Sequence, residues 1–140
     1  MALNTRHIFT IDVLLGPAVD VGETPSGYRR VVPIVGGRVS EGMDGTVLPG
    51  GADWNVVRPD ASMELWARYE LQLSDGVVVS VVNTAIHAAG AEFPILTSPR
   101  FDVGSGGPEC LRNGVYVGVL RPGTTELSVR LEVHEVSAAE

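Results

Sequence analysis

The sequence predicts an all-β domain, a compact antiparallel barrel of about eight to ten strands. Three observations carry this. Short Val-rich runs alternate with turn residues, and 140 residues include seventeen glycines and nine prolines, the punctuation of hairpins. The segment Met63–Leu73 alternates strictly, with Leu65, Ala67, Tyr69, Leu71 and Leu73 on one face and Glu64, Trp66, Arg68, Glu70 and Gln72 on the other; that is the period of a half-buried strand. No stretch sustains a helical period, so the crossover helices of a parallel sheet are missing. Sequential hairpins close most simply into a barrel, which removes free sheet edges; a two-sheet sandwich is the competing arrangement.

In chain order, residues 8–15 read as the first strand, stopped by Gly16-Pro17. The apolar N-terminus has the length of an export-signal core, but Asp12 interrupts it and Arg6 is its lone cation, so a strand is the better reading. A loop with Gly22, Pro25 and Gly27 precedes a strand over residues 29–35, whose Pro33 marks an edge or a bulge. Gly36-Gly37 breaks it, and residues 38–40 resume as a short piece. Residues 46–48 form a short strand ended by Pro49-Gly50-Gly51, and Val56-Val57 leads into a turn at Arg58-Pro59-Asp60, where proline pre-sets the backbone. Ser74-Asp75-Gly76 turns the chain after Leu73 into a return strand over residues 77–83. Residues 84–91 are the one weak candidate for a helical turn; residues 95–101 form another strand, and a glycine-rich loop spans 104–108. A last hairpin joins residues 115–120 to 125–136 across Arg121-Pro122-Gly123.

The length fits one domain spanning residues 1–140, large enough to fold without a metal or disulfide staple. The lone cysteine, Cys110, excludes an internal disulfide and suits a reducing, cytoplasmic setting. The net charge of −7, with every cation an arginine, supplies no basic footprint for nucleic acid or an anionic membrane surface. No run reaches the ~20 apolar residues needed to cross a bilayer.

Three histidines, His7, His87 and His134, lack the close spacing of zinc motifs, and ordinary strand-edge roles account for them; no metal is expected. The glycine clusters match neither a dinucleotide fingerprint nor a phosphate loop. More informative is the segment from Pro49 to Asp60. Its glycines allow tight curvature that places Asp53 and Trp54 at a barrel mouth, where a desolvated aspartate can move protons; the plainer alternative is a turn-capping Asp53 and a core Trp54. Trp66 and Arg68 share one strand face, and a fixed guanidinium can hold a developing oxyanion or merely pair with Glu64 or Glu70. Asn83, if inward, needs a hydrogen-bond partner, and a ligand would serve. Arg100 sits among apolar and turn residues. Tyr69 and Tyr116 are candidate donors or simple core aromatics.

Gly36-Gly37-Arg38, the run Gly45-Thr46-Val47-Leu48-Pro49-Gly50-Gly51-Ala52-Asp53-Trp54, Val57-Arg58-Pro59-Asp60, Ala67-Arg68-Tyr69, Asp75-Gly76, Asn83 and Ser98-Pro99-Arg100-Phe101 together resemble the bacterial and fungal domain-of-unknown-function 3237 family (uncharacterised protein family 0311). The resemblance covers nearly the whole chain. It implies a lipocalin-like barrel, often dimeric, and family-like polar positions at Asp53, Trp54, Arg58, Arg68, Tyr69, Asn83, Arg100 and Phe101. This chain departs from the pattern by Trp66 where an aspartate is usual, by Val82 and Thr84 where arginines flank the asparagine, and by Cys110 for a tryptophan. Arg112 replaces an asparagine. The exchanges at Trp66, Val82 and Thr84 lead us to expect a pocket suited to a larger, less charged ligand.

The resulting expectation is a cofactor-independent cyclase, isomerase or dehydratase of secondary metabolism. Asp53 would move a proton, Arg68 or Arg100 would hold an oxygen, and Trp54, Arg58, Trp66, Tyr69, Asn83, Phe101 and Tyr116 would line the site. A non-catalytic carrier of a small organic molecule is the alternative. A packed barrel acting as an interaction module is the third, and no secure carboxylate pair supports glycoside hydrolysis.

Overall fold

A computed structural model of the protein describes residues 2–139. Its strands are β1 (Ala2–Leu15), β2 (Val19–Thr24), β3 (Gly27–Ser40), β4 (Gly45–Val47), β5 (Gly51–Val57), β6 (Met63–Leu73), β7 (Val78–His87), β8 (Ile95–Val103), β9 (Val115–Pro122) and β10 (Ser128–Ala139). Every pairing is antiparallel. The ring runs β1, β10, β9, β8, β7, β6, then β5 and β4, then β3, and β3 returns to β1 to close it.

The long strand β3 explains how ten strands make an eight-position barrel. Its residues 34–40 pair with β1, and its earlier residues pair with β2, so β1 and β2 are successive lengths along one side. On the other side β4 and β5 share it in the same way. Pro33 lies where the first of these sides is interrupted. Its carbonyl accepts from the Gly16 N–H at 2.8 Å, so the edge on which it lacks an N–H faces the gap between β1 and β2, where no ladder bond is lost.

Four local expectations change. Gly36-Gly37 does not break β3: Gly37 has φ 144°, and a Cβ there would collide with the Asp12 carbonyl, so glycine lets β1 approach a continuous strand. The Gly22 loop is the edge strand β2, bulged between Asp20 and Gly22. Residues 51–57, read as a curved loop, form a full strand between β3 and β6. The helical turn over residues 84–91 is absent, because β6 is long enough to pair with β7 out to Met63 and His87; tertiary pairing overrides weak local propensity.

The odd residues of β6 point inward. One end of the barrel is solid, with Phe9, Ile11, Val39, Leu71, Val79 and Val133 all fully buried. Leu111, on a 3-10 turn at Glu109–Leu111, plugs that end at 1% exposure. The other end is hollow.

Candidate functional site

The hollow half holds a cavity of about 400 Å³. Its walls are mostly apolar, with Ile34, Met63, Leu65, Ala67, Ile95 and Leu131 prominent. A few polar groups interrupt them: Arg30, Asp53, Asn55, Tyr69, Asn83, His87 and Thr97. A concave, mostly apolar space with sparse, convergent polar groups is the usual form of a small-molecule site.

Asp53 lines this space beside a break in the sheet. The β5–β6 ladder pairs Asp53 with Ala67 and Val56 with Glu64, but leaves the two positions between unpaired. In that gap the Asp53 carboxylate accepts a hydrogen bond from the Trp66 backbone N–H at 3.1 Å. Burial pushes its pKa above the usual aspartate range, with Trp66 N–H, the Asn55 side chain and the Arg30 charge pulling the other way. Tyr69 is fully buried, and burial first, then the nearby Asp53 charge, lift its phenol above its ordinary value. It is therefore a neutral hydrogen-bond donor at any working pH. At the rim, Arg30 Nε lies 3.5 Å from Asn55 Oδ1.

Of the residues singled out in the sequence, Asp53, Tyr69 and Asn83 meet in the cavity, and Thr84 borders it. Arg68 does not. It stands on the exposed, even-numbered face of β6, because a strand with one apolar face turns that face into the barrel. Trp66, on the same outer face, packs edge to face against Trp54 at 5.6 Å. The two border a shallow groove on the outside of the barrel with Arg29, Glu64, Ile86 and Leu96. Arg58 sits in the turn after β5 and donates from Nε to Ser62 Oγ at 2.8 Å. Arg100 is exposed on the outer face of β8. Phe101 points inward but belongs to the solid end, between Phe9 at 5.7 Å and Tyr116 at 5.0 Å. Tyr116 packs there too, its hydroxyl donating to the Cys110 carbonyl.

Of the three exchanged positions behind the expectation of a less charged ligand, Trp66 and Val82 lie on outward-facing strand positions, and Thr84 alone borders the cavity as well as the outer groove. The apolar character of the pocket is real but comes from other residues. Arg30, Asn55, His87 and Thr97 were missed as site residues. Asn55 carried a usable signal: it lies two positions from Asp53 on the same strand and so shares its face.

Against known proteins, a family model described as "Protein of unknown function (DUF3237)" matches residues 3–94. The chain belongs to this family. A UPF0311 protein of Rhodopseudomonas palustris is 35% identical over 150 residues, spanning 96% of this chain and 97% of its own. A crystal structure of a conserved protein from R. palustris superposes with a TM-score of 0.87 at 33% identity, over 98% of this chain and 99% of that one. A protein from Penicillium herquei, described as an enzyme, shares the fold with a TM-score of 0.79 at 24% identity, over 98% of this chain and 96% of its own.

Proposed function

We propose that this family member is a cofactor-independent enzyme acting on a small, largely apolar organic metabolite in the barrel cavity, by cyclisation, isomerisation or dehydration. The observation that carries this reading is Asp53: a carboxyl group raised in pKa by burial, opening onto an apolar cavity beside the neutral donor Tyr69. A carboxylate in that environment is a stronger base than one in water, and its acid form persists closer to neutrality. Asp53 takes a proton from the substrate and returns it at another position. Tyr69 supports an oxygen on which negative charge grows, and a donor fixed in a mostly apolar cavity does so without reorganising. The apolar walls hold the substrate near its reactive shape. Cyclisation and isomerisation relocate a proton, and in dehydration the proton goes to the departing hydroxyl as the C–O bond breaks and water leaves; none of these requires an electron carrier. The enzyme described from P. herquei supports catalysis on this barrel at the level of fold only. Cys110 as the lone cysteine supports a cytoplasmic setting, and the family resemblance supports a homodimer.

A carrier role is the second reading, favoured by one fact: Asp53 already has a structural task at Trp66 N–H. The discriminating experiment incubates pure protein in deuterium oxide with metabolites made by enzymes encoded beside its gene. Mass spectrometry then follows product and deuterium. Product formation with solvent deuterium incorporated, lost in Asp53→Asn, supports the enzyme. Retention of the unchanged metabolite by wild type overturns it in favour of the carrier.

A further inference from the structure

Two polar atoms in the cavity wall are buried without a hydrogen-bond partner, Asn83 Oδ1 and Thr97 Oγ1. Asn83 is 9% exposed and Thr97 4%, and both side chains line the cavity. Buried polar groups are normally paired, so two orphans on adjoining strands call for a partner from outside the chain, an ordered water or a ligand group that takes its place. Their setting leaves them few protein partners. Asn83 faces Pro99 across the β7–β8 ladder, and Thr97 faces Gly118 on β9. A Cβ at Gly118 would sit on Thr97 Oγ1 and within 2.6 Å of Leu131 Cδ1. Glycine there leaves the threonine its room.

The chemistry of the pair selects its ligand. An amide oxygen only accepts, whereas a threonine hydroxyl donates and accepts. A ligand hydroxyl completes both, displacing water while donating to Asn83 and accepting from Thr97. A carbonyl or an ether would satisfy Thr97 alone. The register also sets a length. Asp53 pairs with Ala67, and Ala67 with Asn83, so the acid and the amide stand two strand spacings apart, roughly 10 Å. Between them only the methyl group of Ala67 projects from the central strand, leaving a bay that a flat ring can cross.

We propose that Asn83 and Thr97 form a hydroxyl-recognition subsite that anchors the phenolic or alcoholic end of a fused-ring ligand, laying its other end over Ala67 toward Asp53. This rests on the reading of the cavity as a small-molecule site and adds the ligand's chemical class and direction.

The test is equilibrium dialysis with mass-spectrometric readout, using 2-naphthol and its non-donating ether 2-methoxynaphthalene. Wild type should bind 2-naphthol at least about tenfold tighter, a difference of about 1.4 kcal/mol. Asn83→Leu and Thr97→Val should each bring the two affinities within about threefold, with binding of the ether retained. Equal binding of both probes by wild type overturns the subsite and leaves the cavity reading intact. So does a preference that survives in both variants. Failure of wild type to bind either probe overturns both. Circular dichroism checks each variant, and if Asn83→Leu does not fold, a preference kept by Thr97→Val alone refutes the subsite.

Discussion

Replacing Asp53 separates a proton-moving carboxyl from a structural one without knowledge of the substrate. Asp53→Asn keeps an oxygen able to accept from Trp66 N–H, now at 3.1 Å from Asp53 Oδ1, and removes the charge. Burial raises the folded-state pKa above the ordinary value of 3.8. The folded protein therefore holds this proton more tightly than the unfolded chain does. Stability from this group is complete below the unfolded value and is lost as pH rises through the folded one. At pH 7 the wild type bears the full cost of ionisation, about 1.4 kcal/mol for each unit of upward shift, and the amide bears none. Asp53→Asn should thus be the more stable protein at pH 7, and its advantage should shrink to nothing only below about pH 3. Asp53→Ala also sheds the charge but leaves Trp66 N–H without its acceptor, a loss of about 1 kcal/mol at a site solvent can reach. It should fall below Asp53→Asn by that amount at every pH. Urea unfolding followed by tryptophan fluorescence across this range measures all three proteins. If Asp53→Asn is instead the less stable at pH 7, and the gap closes on acidification, the carboxylate is held ionised by its surroundings. The case for Asp53 as a proton carrier then collapses.

Four further substitutions probe the remaining geometry. Tyr69→Phe removes a buried donor, so turnover should fall about 10²-fold while urea unfolding shifts by no more than about 1 kcal/mol; unchanged turnover removes the hydroxyl from the chemistry. Gly118→Ala forces a methyl group onto Thr97 and Leu131 and should cost about 1–3 kcal/mol of stability, whereas Gly104→Ala, which meets open space, should stay within about 0.5 kcal/mol. Arg68→Ala, on the outer face of β6, should leave turnover unchanged and stability within about 0.5 kcal/mol; a turnover loss in a steady-state assay would return Arg68 to the site.

The barrel was legible because its evidence is local and repeated. In β6 the alternation survives intact from the sequence into the burial pattern, and the Ser74-Asp75-Gly76 turn leads into the strand pairing from Gln72 with Val78 onward. What local evidence could not supply was strand length where a partner decides it. Residues 84–87 have no strong strand signal, yet β6 extends them into the sheet through Ala85 opposite Leu65 and His87 opposite Met63. Gly36-Gly37 reads as a stop in isolation. Beside Asp12 it becomes the point where two strands press together.

The cavity lining was legible only in part: Asp53, Tyr69 and Asn83 border it, whereas Trp66 and Arg68 face outward. Period two divides a strand into faces but carries no label for inside and outside, and the even face of β6 drew attention because Trp66 and Arg68 offer the richer chemistry. The decisive information was nevertheless present on the odd face. Leu65, Ala67, Leu71 and Leu73 can leave water together only by turning inward, and they take Tyr69 with them. Antiparallel pairing then carries the choice across the sheet, since residues directly opposite share a face: Ala67 inward requires Asp53 and Asn83 inward as well. The large aromatic pair follows from the same constraint. With Ala67 inward, its neighbour Trp66 must be outward, and Trp54 beside Asp53 likewise. The chemistry of a barrel of this kind is therefore to be sought among polar residues stranded within its apolar stripe. The outer face, however well furnished, answers to solvent or to a partner.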